Sequence, residues 1–214
     1  MRILITSGPT REYLDPVRFL SNGSSGKMGA ALAAATLAVG FDVAIVSGPV
    51  SVDYPKCAEI IHVTTTEEML QKCLQQFPNC VGVIGAAAPC DYKLESIAAQ
   101  KMTKRQNKEL FLKFVETPDI LEELGKIKRN NQWIVPFALE TNDDSKSRAI
   151  KKLHQKNGDL ILLNGPRAMY SDQTKIEVLN KKGETIASIC DTKDKVAVQI
   201  ISIIQKTMNT QFSL

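Results

Sequence analysis

The sequence predicts an α/β protein built on a doubly wound, Rossmann-like sheet that is mostly parallel, with helices on both faces and a C-terminal β-hairpin. Short apolar segments, each as long as a buried strand, alternate along the chain with segments of helical character. Most of these strand segments are continuously apolar, with residues 59–63 the weaker pattern, which predicts a sheet that is covered on both faces. Strands separated by helices then pair in parallel through right-handed crossovers.

Strands and helices follow from this alternation, and local signals mark several of their ends. Thr65 or Thr66 precedes the acidic first turn of one helix, and Thr117 is the expected cap of another whose first residue is Pro118. Gly40 stands where a helix C-terminal glycine is expected. The predicted strands are residues 2–6, 42–46, 59–63, 81–86, 133–137 and 160–163, and the predicted helices are residues 25–39, 66–76, 118–128, 145–156 and 193–209.

Two segments interrupt the alternation. Residues 92–114 are polar and lysine-rich and lack a clear period, and a connection of this length is usually a lid or a binding loop. We therefore predict a flap at about 92–114. Residues 175–190 contain two strand patterns around a Lys-Lys-Gly-Glu turn, which predicts a hairpin at an edge of the sheet or at a dimer contact. The whole chain, residues 1–214, is predicted to be one domain.

Composition excludes several classes of protein. The net charge of +4 suits an anionic small molecule, but it is too small and too evenly spread to indicate nucleic-acid binding. No apolar run approaches the ~20 residues that span a membrane. Five scattered cysteines without a signal peptide indicate reduced thiols and a cytoplasmic location. The two histidines and the cysteines lack metal-ligand spacing, so no protein-bound metal is predicted.

The first strand leads into a long glycine-rich polar loop and then into an alanine-rich helix. This order presents backbone N–H groups and a helix dipole to a phosphate. The loop lacks the spacing of a P-loop and the Gly-x-Gly-x-x-Gly of a dinucleotide-binding loop. Asn22, Ser24 and Ser25 are candidate donors to an anionic ligand. The alternative is that Gly26 and Gly29 only permit close packing of the helix on the sheet.

Candidate residues also follow two later strands, and ligands of such sheets bind beyond the carboxyl ends of strands. Asp91 is a candidate acceptor for a ligand hydroxyl or amine, and the alternative is a helix or turn cap. Phe137 either stacks on a base or belongs to the core. Cys90 has no histidine nearby in sequence, so we interpret it as a small filler rather than a nucleophile.

Three lysines are candidate partners for a triphosphate. Lys101 lies in the flap, where a mobile lysine can close over phosphates and stabilise charge at the reacting phosphorus. Lys152 and Lys156 are four residues apart on one helical face, a spacing that presents two cations to one anion. In each case the alternative is a solvated charged surface.

Taken together, these segments resemble the phosphopantothenate–cysteine ligase family over nearly the whole chain. The marker at residues 8–29 contains Gly-Pro-Thr-Arg-Glu, Asp-Pro-Val-Arg-Phe and Ser-Ser-Gly-Lys-Met-Gly, and it is highly specific. Further markers follow in the family's order at residues 87–92, 101–104, 117–121, 137–142 and 156–161.

The resemblance implies a ligase that joins 4′-phosphopantothenate and L-cysteine into 4′-phosphopantothenoylcysteine in coenzyme A biosynthesis. CTP and 4′-phosphopantothenate form an acyl-cytidylate with release of pyrophosphate, and the cysteine amine then displaces CMP. Mg²⁺ neutralises charge on the phosphates.

The resemblance also implies roles for individual residues. Asn22 contacts the acyl-cytidylate and the phosphopantothenate, and Lys101 is the flap lysine. In the family's homodimers one subunit contributes to the substrate site of the other, which implies that Arg18 and Asn22 act across the interface. The implied nucleotide pocket contains Ala88, Asp91 and Phe137, with Lys152 and Lys156 near the triphosphate and base and with Gly8, Ser24, Ser25, Gly26 and Lys27 beneath the phosphates.

Two positions depart from the family's pattern, and the sequence shows no N-terminal flavin decarboxylase domain of the kind that many relatives have. Pro89-Cys90 is expected to reshape the pocket floor, and Asn164-Gly165 changes one loop. No flavin domain precedes Met1, so the expectation is a monofunctional ligase of bacterial type that uses CTP, with ATP as the alternative nucleotide, and that uses no flavin. A phosphopantothenoylcysteine decarboxylase is then expected as a separate chain.

Two other functions remain open from the residues alone. One is a nicotinamide-dependent oxidoreductase, although no tyrosine is followed four residues later by lysine and the glycine fingerprint is missing. The other is a non-catalytic nucleotide-binding protein that kept the pocket. The presence of Lys101 and Asn22 favours the ligase.

Overall fold

The computed structural model describes residues 1–103, 110–139, 144–165 and 173–212. Lys104 of the flap marker and residues 140–142 of the marker after Phe137 lie outside these ranges. The strands are β1 (Arg2–Ser7), β2 (Arg11–Tyr13), β3 (Phe19–Ser21), β4 (Asp42–Ser47), β5 (Glu59–His62), β6 (Gly82–Gly85), β7 (Tyr92–Leu94), β8 (Phe114–Glu116), β9 (Trp133–Leu139), β10 (Leu160–Asn164), β11 (Gln173–Asn180) and β12 (Thr185–Thr192).

Eight of these strands form one central sheet in the order β12-β11-β10-β9-β6-β1-β4-β5. Within this sheet, the neighbouring strands β10, β9, β6, β1, β4 and β5 all pair in parallel. β11 and β12 pair antiparallel and form the predicted hairpin, with β12 at the edge of the sheet. The predicted fold class, a mostly parallel α/β sheet with a C-terminal hairpin, is therefore confirmed.

Helices cover both faces of the sheet. They are α1 (Lys27–Ala38), α2 (Thr66–Gln76), α3 (Ile120–Ile127), α4 (Ser145–Gln155) and α5 (Lys193–Phe212). α1 and α5 pack on one face around Ile5, and α2 and α3 pack on the other around Leu4. Consecutive side chains of a strand point to opposite faces, so each of these β1 neighbours contacts a different helical layer. Both are fully buried, which explains why the central strand segments are continuously apolar.

The start of α2 agrees with its sequence signal. Thr65 is the N-cap residue, and its hydroxyl accepts the N–H of Glu68 while the Glu68 carboxylate accepts the N–H of Thr65. This reciprocal capping box satisfies two of the donors that a helix leaves unpaired at its start. Gly40 follows α1 with a φ of 87°, as expected for a helix C-terminal glycine.

The predicted start of α3 is wrong by two residues. Thr117 does not cap the helix, because its hydroxyl donates to the carbonyl of Cys90. Asp119 is the N-cap residue, and its Oδ1 accepts the N–H groups of Leu121 and Glu122 at 3.1 Å each. The proline therefore precedes the cap instead of following it, and the caps of both helices come from residues with a side-chain oxygen acceptor.

Two small ribbons stand outside the central sheet. β2 and β3 pair antiparallel within the glycine-rich loop, and β7 and β8 pair antiparallel at the two ends of the predicted flap. The prediction of irregular structure for both segments is wrong at these four strands. Each strand has only three residues, too few to establish a period.

Two further findings concern the described part of the chain as a whole. None of its helices combines the length and apolar character that a membrane span requires. All five cysteines are free thiols, two of them exposed.

Candidate functional site

A cavity of about 980 Å³ opens at the carboxyl edge of the sheet, beside the place where the strand order reverses between β1 and β6. Open α/β sheets bind ligands at such a switch point. The volume is at the upper end of the range for small-molecule sites. The predicted site residues that line this cavity are Asn22, Ser24, Ser25, Gly26, Lys27, Ala88, Asp91, Phe137, Lys152 and Lys156.

The N-terminus of α1 forms one wall of the cavity. Gly26 is its N-cap residue and has a φ of 77°, which glycine adopts without strain. The first-turn residues Lys27, Met28 and Gly29 line the cavity as well. Because the first N–H groups of a helix lack intrahelical partners and carry the positive end of its dipole, this wall is suited to an anion.

Close packing fixes the position of this turn. A Cβ on Gly29 would lie 2.1 Å from Ser7 Oγ, so only glycine lets α1 approach the end of β1 this closely. Tyr54 Oη forms hydrogen bonds with Ser47 Oγ at 2.7 Å and Ser7 Oγ at 2.9 Å. Ser7 Oγ in turn donates to the carbonyl of Gly26 at 3.3 Å. The N-cap backbone is thereby tied to the buried ends of β1 and β4.

Gly8 has a structural place behind the cavity. Its φ of 73° turns the chain after β1, and a Cβ there would lie 2.6 Å from Val50 Cγ1. Its carbonyl accepts the N–H of Ala88 at 2.9 Å, which joins the start of the glycine-rich loop to the segment after β6. Gly8 is not among the residues that line the cavity.

Asn22 connects the glycine-rich loop to the same segment. Its Nδ2 donates to the carbonyls of Ala88 at 3.2 Å and Pro89 at 2.8 Å. Asp91 is exposed at this wall, and its carbonyl accepts the N–H of Thr117 at 2.9 Å. Both predicted residues are therefore held next to the cavity by backbone contacts.

Cys90 is buried between these residues, and its contacts agree with the interpretation as a filler. Its thiol donates to the carbonyls of Thr10 and Leu20 at 3.6 Å each. Burial raises the pKa of Cys90, which keeps the thiol protonated and unreactive near neutral pH.

Lys156 reaches the cavity from α4 and forms an ion pair with Asp119. The same carboxylate caps α3 through its other oxygen, so Asp119 joins α3 to the end of α4. Lys152 lies one turn earlier on α4 and lines the same cavity. A side-chain ammonium that is held beside the cavity by a capping carboxylate costs less to orient on a ligand phosphate than a freely rotating one.

Several residues that line the cavity were not predicted as site residues. Residues 116–121 line the cavity, although the sequence analysis used the Thr-Pro-Asp-Ile-Leu segment only as a family marker and a helix start. Asn164 and Thr174 also line it, and their side-chain oxygens are buried without a hydrogen-bond partner among the described residues. The rule that selected Asp91 from a strand end would have found Asn164. Thr174 reaches the cavity only because β11 pairs with β10, which no local pattern reveals.

Arg18 and Lys101 lie together outside the cavity. Neither belongs to the residues that line it, and the side chain of Lys101 is exposed. Arg18 Nη1 donates to Asp15 Oδ2 at 2.6 Å and to the carbonyl of Met102 at 2.9 Å. The predicted residues therefore form a group around the cavity and a separate pair. In this pair Arg18 lies in the turn between β2 and β3, and Lys101 lies in the flap between β7 and β8.

The fold and the cavity define an α/β protein with a cavity at the switch point of a mostly parallel sheet and a helix N-terminus in its wall, the place where proteins of this class bind phosphorylated ligands. The chain belongs to the family described as the DNA/pantothenate metabolism flavoprotein C-terminal domain, whose model matches residues 1–208.

Individual relatives agree with this family. The chain is 35% identical over 213 residues to the coenzyme A biosynthesis bifunctional protein CoaBC of Haemophilus influenzae, covering 98% of this chain and 53% of that protein. It is 41% identical over 206 residues to a protein of an unknown prokaryotic organism named cysteine/cysteine sulfinic acid decarboxylase, covering 94% of this chain and 56% of that protein. The chain therefore spans about half the length of the curated relatives it matches.

A solved structure covers the same region from end to end. The crystal structure of the C-terminal domain of CoaBC is 34% identical, has a TM-score of 0.82, and is matched over 98% of both chains. The chain is therefore homologous to the C-terminal domain of CoaBC.

Proposed function

We propose that this chain is a phosphopantothenate–cysteine ligase that acts in coenzyme A biosynthesis through an acyl-cytidylate formed from CTP. The observation that carries the proposal is the gathering of the candidate residues around one cavity, in a chain homologous to the C-terminal domain of CoaBC. The family match does not favour a nicotinamide-dependent oxidoreductase.

The cavity walls suggest how CTP is bound. The N-terminus of α1 and the loop residues 24–27 receive the phosphates, and Lys152 and Lys156 contribute side-chain ammonium groups from the C-terminal end of α4. Phe137 and Ala88 form an apolar surface for the base or ribose, and Asp91 accepts from a hydroxyl or amine. The unpartnered oxygens of Asn164 and Thr174 offer further acceptors.

Acyl activation follows from this arrangement. The carboxylate of 4′-phosphopantothenate attacks the α-phosphorus of CTP, and pyrophosphate leaves with the bond electrons. The amine of L-cysteine then attacks the acyl carbon, CMP leaves, and the amine loses a proton. Lys101 stabilises charge on the phosphates during the first step, and Asn22 orients the acyl-cytidylate.

Magnesium enters this reaction with CTP as part of the substrate. The described residues contain no group of three or more carboxylate, imidazole or thiol side chains that could hold a metal ion by themselves. The metal ion neutralises charge on the triphosphate, and the chain supplies the surrounding walls.

A second copy of the chain completes the site in this proposal. Exposed apolar side chains cluster on the two ribbons and the flap, among them Phe111 at 88%, Ile97 at 62% and Val17 at 59% exposure. An apolar surface of this kind is suited to a protein partner. Because Arg18 and Lys101 lie on this surface and outside their own cavity, a homodimer brings them to the cavity of the partner subunit.

The ligase proposal is tested by measuring pyrophosphate release from CTP while 4′-phosphopantothenate and L-cysteine are each omitted in turn. We expect release to require 4′-phosphopantothenate and turnover to require L-cysteine, with ATP a poorer substrate than CTP. Pyrophosphate release that ignores 4′-phosphopantothenate, or none with all substrates, overturns the proposal.

The same reactions are analysed for carbon dioxide, because one relative is named for the decarboxylation of cysteine and cysteine sulfinic acid. We expect none. Carbon dioxide release without pyrophosphate would replace the ligase by a decarboxylase.

A further inference from the structure

We propose that Asp15 is a positioning residue that fixes the flap segment carrying Lys101 by holding the backbone of Met102. The inference rests on the proposed function for its effect on catalysis. The clamp itself rests on contacts between the glycine-rich loop and the flap.

The carboxylate of Asp15 is fully buried in the turn between β2 and β3. Its Oδ1 accepts the N–H groups of Val17 and Arg18 at 2.8 Å each, which closes the turn. Its Oδ2 accepts the N–H of Met102 at 3.0 Å and Nη1 of Arg18 at 2.6 Å. One carboxylate therefore binds its own turn and a segment 87 residues away.

Arg18 completes the clamp by holding the other backbone polar group of Met102. Its Nη1 donates to the carbonyl of Met102 at 2.9 Å, so the Asp15–Arg18 ion pair holds both the N–H and the C=O of this residue. A second tie joins the two segments, because the N–H of Ala98 donates to the carbonyl of Leu14 at 3.1 Å. The residue directly before Met102 is Lys101, whose main chain is thus fixed while its side chain stays exposed.

The charge state of Asp15 agrees with this role. Burial raises its pKa, but the hydrogen bonds from Met102, Val17 and Arg18 outweigh burial and lower the pKa to about 2. The residue is therefore a carboxylate at neutral pH, and charge-assisted bonds of this kind are stronger than neutral ones.

An amide in place of this carboxylate breaks the clamp at a defined point. Asparagine keeps one acceptor for the turn, but its NH₂ group then faces the N–H of Met102 and the guanidinium of Arg18, where donor opposes donor. Lys101 loses its defined position, while the cavity residues on the sheet keep theirs. A displacement of about 1 Å at a reacting group can lower a rate about 10²-fold.

The test compares Asp15→Asn with Asp159→Asn, which alters another buried carboxylate far from the flap. Asp159 accepts the N–H of Ile134 at 2.8 Å and pairs with Lys128 at 2.8 Å. For Asp15→Asn we expect kcat to fall about 10²-fold with an unchanged KM for CTP, and trypsin to cut faster after Lys101. We expect Asp159→Asn to lose melting temperature but to keep the wild-type kcat and flap cleavage. Equal kcat and cleavage in wild type and Asp15→Asn overturn the proposal, as does a parallel loss in both variants.

Hydrogen exchange of the wild-type protein gives a second test that needs no variant to fold. We expect the amide of Met102 to exchange more slowly than the amides of the exposed residues beside it. Fast exchange there overturns the clamp. Slow exchange and faster tryptic cleavage of Asp15→Asn support the clamp even if no pyrophosphate is formed from CTP, so the clamp and the ligase proposal fail separately.

Discussion

One chain forms the whole cavity at the carboxyl edge of the sheet, whereas the ribbon surface, formed by the β2–β3 and β7–β8 ribbons and the flap, is proposed to act only with a second copy. Around the cavity, the ends of β1, β6, β9 and β10 and the starts of α1 and α3 bring the predicted nucleotide residues together. On the ribbons, Arg18 and Lys101 are held next to each other but away from that cavity. In the proposed homodimer, the sheet residues bind the nucleotide within one subunit, whereas the ribbon residues act on the partner subunit when a second copy docks.

The largest expected effect is on the ribbon side. The substitution Lys101→Gln should slow acyl-cytidylate formation about 10²- to 10³-fold, because a positive charge that acts on the reacting phosphate is lost. CTP affinity should stay near that of the wild type, since the cavity is unchanged. Single-turnover pyrophosphate release measures the first quantity and equilibrium binding the second.

Lys113→Gln is the matched control for that experiment. Lys113 is another exposed flap lysine, paired with Glu95 at 2.6 Å. We expect wild-type turnover from it. A comparable loss from both lysine variants would mean that general flap charge is responsible, and an unchanged rate in Lys101→Gln would remove Lys101 from the mechanism.

The next effect tests whether the ribbon surface is the dimer contact. Phe111→Asp should weaken self-association by about 1.5–3 kcal/mol for each buried phenylalanine, which is roughly 10- to 150-fold in the dissociation constant. Sedimentation equilibrium measures this. Val198→Asp on α5, exposed to 58%, is the control and should leave association unchanged. An unaltered dimer in Phe111→Asp would place the contact elsewhere.

On the sheet side, Gly29→Ala should destabilise the fold by about 1–3 kcal/mol through overpacking, because the new methyl group meets Ser7 Oγ at 2.1 Å. CTP affinity should fall as well, since the α1 N-terminus must move. Urea unfolding and CTP titration measure both effects. A Cβ on Gly165 would meet no atom of the described residues within 4 Å, so Gly165→Ala should be neutral. Unchanged stability in Gly29→Ala would show that α1 can shift without cost.

The smallest effect is a pH dependence on the ribbon side. The folded pKa of Asp15, about 2, lies below the ordinary value of 3.8, so its contribution to stability is complete above about pH 4 and is lost as pH falls towards 2. The difference in melting temperature between wild type and Asp15→Asn should be constant from about pH 5 to 8 and shrink between about pH 4 and 2. A difference that changes near neutral pH would point to another titrating group.

The sheet side was also the side that the sequence predicted better. Continuous apolar runs identified the parallel strands, and the Thr65–Glu68 box fixed the start of α2. Both signals are local. The ribbons escaped because three-residue strands carry no period, and the cap of α3 was misplaced because Pro118 precedes Asp119 instead of following the cap.

The residues of the candidate site also differ in whether a local sequence pattern predicts them. A loop pattern, a strand-end pattern and a helical-face pattern selected Asn22, Asp91 and Lys156, which all line one cavity. Contacts between distant segments could not be predicted from one sequence. The clamp of Asp15 on Met102 and the approach of Thr174 to the cavity depend on pairings formed only in the folded chain.

In the proposed reaction one cavity holds CTP and activates a carboxylate on it. The most direct measurement is mass spectrometry of a quenched reaction that contains the protein, Mg–CTP and 4′-phosphopantothenate but no L-cysteine. We predict a 4′-phosphopantothenoyl-cytidylate, formed together with pyrophosphate and consumed when L-cysteine is added. Pyrophosphate without this adduct, or intact CTP throughout, would contradict the claim.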